Sequence, residues 1–100
     1  MTKPIVVLAL PWYSERNYQR LMKIFTDATL LPPTFEKWQK LAEQNFQTEI
    51  AKGRTAIKVD IDPDTFSEWC RLGGVDADAK ARIRFAGFEA QRIVTEMQKR

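Results

Sequence analysis

The stretch Thr55–Gly74, TAIKVDIDPDTFSEWCRLGG, reads as one β-strand that runs into one short helix and stops at a glycine pair. Ile57, Val59 and Ile61 alternate with Lys58 and Asp60. A period of two puts the branched apolar side chains on one face and the charges on the other, the pattern of a half-buried strand. The strand ends at Asp62-Pro63-Asp64. Proline has no N–H and a fixed φ, so it suits the first position of a helix, where that donor has no partner in any case. Asp62 is then the N-cap, and Asp64 places negative charge at the positive end of the helix dipole. Phe66, Trp69 and Cys70 follow at i, i+3, i+4, with Leu72 alongside, and Gly73 or Gly74 takes the left-handed conformation that closes the helix.

Downstream, Val75 supplies the apolar contact that accompanies a glycine stop, and Asp76 caps a final helix over Ala77–Gln98. Ala79, Ile83, Ala86, Ala90, Ile93 and Met97 recur at alternating spacings of four and three, the seam of a closely packed helix. Phe85 and Phe88 lie off that stripe. A second apolar patch is costly to leave wet, so the pattern predicts cover by a neighbouring element or by another subunit.

Upstream, Thr34 caps a helix over Phe35–Lys52 with Gly53 just past its end. Its inner face is traced by Phe35, Trp38, Leu41, Ala42, Asn45 or Phe46, and Glu49 or Ile50. Ala28–Pro33 is a loop in which two prolines stop one helix and aim the next. Ser14 caps a helix over Glu15–Asp27, whose apolar face is Tyr18, Leu21, Met22 and Phe25. Pro11–Ser14 reads as a turn. Pro4–Leu10 is a short apolar run bounded by prolines and reads as a strand buried on both faces, or alternatively as an arm docked on the core or on another subunit. Met1–Lys3 reads as a loose start.

The order is β-α-α-β-α-α in one α+β domain spanning residues 1–100. Two helices between the strands bring the chain back to the side it left, which predicts an antiparallel pair packed on four helices. A two-stranded sheet is marginal alone, and free strand edges invite pairing with another chain. With Phe85 and Phe88, these points predict a homodimer, through a continuous four-stranded sheet or through the last helix.

Composition narrows the chemistry. Apolar residues make up 44% of the chain, enough for a single core, but a domain of 100 residues gains from oligomerisation. There is no His, which removes the commonest general base, zinc ligand and partner of a Ser or Cys nucleophile. One Cys and no His leave a structural zinc site close to excluded. The single Cys fits a reducing compartment. No segment has the length of a membrane span, and Ile5–Leu10 is too short and too poorly flanked for a signal peptide, so a cytoplasmic protein is expected. The net charge of +3 permits a nucleic-acid partner without requiring one.

Several constellations invite a chemical reading. Asp60, Asp62 and Asp64 alternate like the start of a calcium loop, but the positions that need Gly and a bidentate acid hold Thr65 and Arg71. Cys70 lies on an apolar helix face, where a thiol behaves as a small hydrophobe. Neither predicts a metal, a cofactor or a catalytic residue. Trp12 and Tyr13 follow a proline in a turn and, with Arg16 and Arg20 nearby, form the candidate small-molecule or enzymatic site. Arg16, Arg20 and Lys23 share one face of the first helix and form the candidate phosphate-contacting surface. Phe66–Phe85 has the outline of a helix-turn-helix, with Lys80 at a position that should be apolar. The leading expectation is a non-catalytic interaction or regulatory module that pairs with itself or another protein.

The segments LPWYSERNYQRLMKIF (Leu10–Phe25), LPPTFEKWQKLAE (Leu31–Glu43) and VDIDPDTFSEWCR (Val59–Arg71) together resemble a group of small uncharacterised bacterial proteins of about this length. The resemblance spans most of the chain. It implies a bacterial cytosolic protein and carries over no functional residue.

Overall fold

The computed structural model describes residues 7–98; the readings of Met1–Lys3 and of Pro4–Val6 fall outside them. The order is β1 (Val7–Trp12), α1 (Glu15–Ile24), a 3-10 turn (Ala28–Leu30), α2 (Phe35–Ala51), β2 (Thr55–Asp60), α3 (Pro63–Gly73) and α4 (Ala79–Gln98). The α+β reading holds at this level: four helices and one two-stranded sheet among the described residues.

The caps explain most boundaries. Ser14 Oγ accepts from the Asn17 N–H at 3.2 Å, Thr34 Oγ1 from the Lys37 N–H at 3.3 Å and Asp62 Oδ2 from the Thr65 N–H at 2.9 Å. Gly53 (φ 81°) and Gly74 (φ 63°) take the left-handed conformation that ends α2 and α3. At α4 the cap is Asp78, not Asp76: Asp78 Oδ1 accepts from the Ala81 N–H at 2.9 Å. The last helix therefore starts two residues later than its sequence pattern predicts.

The strands pair in parallel, with Val7 opposite Thr55, Ala9 opposite Ile57 and Trp12 opposite Asp60. This corrects the antiparallel expectation, and the reason lies in α1. That helix packs against α3 and α2 beyond the end of the sheet. Only α2, of 17 residues and about 25 Å, returns along the sheet. One return makes a crossover, and a crossover makes a parallel pair. β1 also runs further than expected and takes in Pro11 and Trp12, which read as a turn. None of its residues is fully buried, against the expectation of a strand buried on both faces.

Helices cover both faces of the pair. Ala9, Ile57 and Val59 pack on Ala86 and Ala90 of α4. Trp12, on the other face, meets Trp38 and Phe46 of α2 at ring-centroid distances of 5.2 and 6.2 Å. The main core lies where the strands end. There Tyr13, Tyr18, Leu21, Phe25, Trp38, Ile61, Phe66, Cys70, Ala81 and Phe85 form one cluster. Within it, Arg82 of α4 is buried. Its guanidinium donates to both carboxylate oxygens of Asp27 at 2.7 and 3.1 Å and lies 4.3 Å from the Phe25 ring centroid. The ion pair ties α4 to the segment after α1, and the Thr26 N–H donates to the Ala77 carbonyl at 3.0 Å beside it.

Candidate functional site

The sequence places Trp12 and Tyr13 together as a partly exposed pair; in the structure both rings pack on Trp38, but only Trp12 keeps an exposed share. Tyr13 is core, 4% exposed, between Trp38 and Phe25 with ring centroids at 4.6 and 5.4 Å. Burial, partly offset by the nearby Arg82 guanidinium, pushes its phenol up to about 12. Trp12 is half-buried, and Lys58 Nζ sits 4.4 Å from its ring centroid while bonding Glu43 Oε1 at 2.5 Å.

The basic face of α1 is not three free cations. Arg16 and Lys23 are exposed, but Arg20 forms a forked ion pair with Asp64 at the start of α3. An acid set into the middle of the stripe lowers its attraction for phosphate. The helix-turn-helix outline meets a similar obstacle. Arg82, in the first turn of its second helix, is withdrawn to Asp27.

The three acids of the strand end also disperse. Asp62 caps α3, Asp64 holds Arg20, and among the described residues no group of three potential metal ligands gathers anywhere. Cys70 is 5% exposed, and burial followed by the Asp78 charge raises its thiol above the ordinary range. A thiol so placed is a poor nucleophile.

Phe85 and Phe88 part as well. Phe85 is 2% exposed and packs on Phe66 and Trp69 at ring-centroid distances of 5.3 and 5.5 Å, whereas Phe88 is 58% exposed. The patch expected to join them does not form. Ala81, Arg82, Phe85 and Ala86 set the inward face of α4, and only Ala86 and Ala90 of the predicted stripe are buried. Ile83, Ile93 and Met97 from that stripe, together with Val94, stay exposed.

What the structure gathers is the flank of β1 that faces away from β2. The Ile61 N–H donates to the Trp12 carbonyl at 2.9 Å. Trp12, Leu10 and Leu8 therefore direct their backbone groups to β2, and Val7, Ala9 and Pro11 direct theirs outward. The missing N–H of Pro11 falls on the free edge, where a strand tolerates it. Among the described residues no strand covers that edge. A groove runs along each of its faces. One, of about 280 Å³, is mainly apolar and is lined by Leu10, Pro11 and Trp12 with Leu31, Trp38 and Leu41. The other, of about 340 Å³, is mixed: Val7, Ala9, Gly87, Ala90 and Val94 line it together with Gln91 and Thr95. Neither wall contains a titratable side chain.

Gly87 is the residue here that the periodicity arguments pass over. It stands inside α4, where glycine is less favourable than alanine by about 1 kcal/mol. A Cβ at this position would meet nothing within 4 Å, so no packing among the described residues requires the glycine. A glycine within a helical pattern is readable from sequence, but the groove it borders is not.

No family model matches the chain, and the comparisons with curated proteins and with solved structures found no match. The likeness of Leu10–Phe25, Leu31–Glu43 and Val59–Arg71 to small bacterial proteins rests on the sequence pattern alone.

Proposed function

We propose that this chain is a small non-catalytic interaction module whose contact surface is the open flank of β1 with the adjoining side of α4. The observation that carries the reading is the coincidence of a free strand edge with a groove on each of its faces, the one beside α2 mainly apolar and the one beside α4 mixed. Either feature alone is ordinary. Together they leave backbone donors, backbone acceptors and apolar side chains waiting on one surface, the combination that strand-adding partners use. The polar side chains that chemistry would need are committed elsewhere, in the Asp27–Arg82 and Arg20–Asp64 pairs and in the cap at Asp62.

Photo-crosslinking in cells tests this. A benzoylphenylalanine in place of Val94 or Met97 should give a discrete protein adduct that saturates. The same group in place of Leu72, which is 72% exposed on α3, should not. Equal, diffuse labelling from α3 and α4 would sink the proposal.

A further inference from the structure

We draw no further inference here: the strongest candidate, the free edge of β1 with the adjoining side of α4, is the contact surface already described, and nothing in the structure shows what covers it.

Discussion

α4 is one helix in two surroundings. Its first half is held by the protein: Ala81, Arg82, Phe85 and Ala86 are buried, and Arg82 reaches back to Asp27. Its second half carries side chains of the same apolar kind, but Ile93, Val94 and Met97 are 40%, 38% and 71% exposed. Nothing in the local sequence marks the change, because both halves have helical spacing and a similar mixture of residues. The difference is what lies opposite. The first half faces the aromatic cluster at the end of the sheet; the second runs on past β1, where no further element among the described residues is set against it. The first half therefore determines stability, and the second half is free to determine association.

The largest effect should come from breaking the buried anchor of the first half. Asp27→Ala leaves the Arg82 guanidinium 5% exposed and without its carboxylate. An uncompensated buried charge costs about 3 kcal/mol or more, visible as a lower midpoint in urea unfolding. The pair is not itself the source of that stability, since desolvating two charges offsets much of their attraction. Asp27→Leu combined with Arg82→Met should accordingly recover most of the loss. If Asp27→Ala unfolds at the wild-type midpoint, the anchor carries no weight and the contrast between the halves loses its cause.

A smaller effect, at alkaline pH, reports on the same cluster. Tyr13 is raised from an ordinary 10.0 to about 12 by burial, against a lowering contribution from Arg82. The folded chain then keeps a proton that the unfolded chain releases. The contribution is complete below pH 10 and is lost as pH rises from there through about 12. Its slope is about 1.4 kcal/mol for each pH unit inside that window. Tyr13→Phe should flatten this part of the stability curve. An unchanged slope would mean that the phenol titrates as freely in the folded chain as in the unfolded one.

What the sequence discloses follows from how local the determining contact is. Asp62, Pro63 and Gly74 mark the ends of α3 because a cap joins residues three or four positions apart. Val59 and Ile61 mark the buried side of their strand because a period of two needs no distant partner. Strand direction depends on α1 packing across the end of the sheet, which is a relation between elements and not a property of any one. The Asp27–Arg82 pair spans 55 positions and has no local signature. Tyr13 and Phe85 are core because of that same end-of-sheet packing, while the even spacing of Ala79, Ile83, Ala86, Ala90, Ile93 and Met97 suggested a different inward face. The candidate site was legible in part. A free strand edge is foreseeable from two short strands, but the grooves beside β1 exist only once α2 and α4 are set on opposite faces.

The smallest effect should come from the second half of α4, and its smallness is the informative result. Met97 is 71% exposed and touches neither core cluster. In solutions dilute enough to hold the chain monomeric, Met97→Ser should change stability by no more than about 0.5 kcal/mol, the range of surface substitutions away from special features. Ser lowers helix propensity only slightly, which stays inside that range. A loss of 1 kcal/mol or more under those conditions would mean that the second half is engaged by its own chain after all. The division of α4 into a structural half and an associative half would then be withdrawn. At high concentration the same substitution borders the proposed contact surface. A stability difference that grows with protein concentration is the signature of a side chain that matters to the assembly and not to the fold.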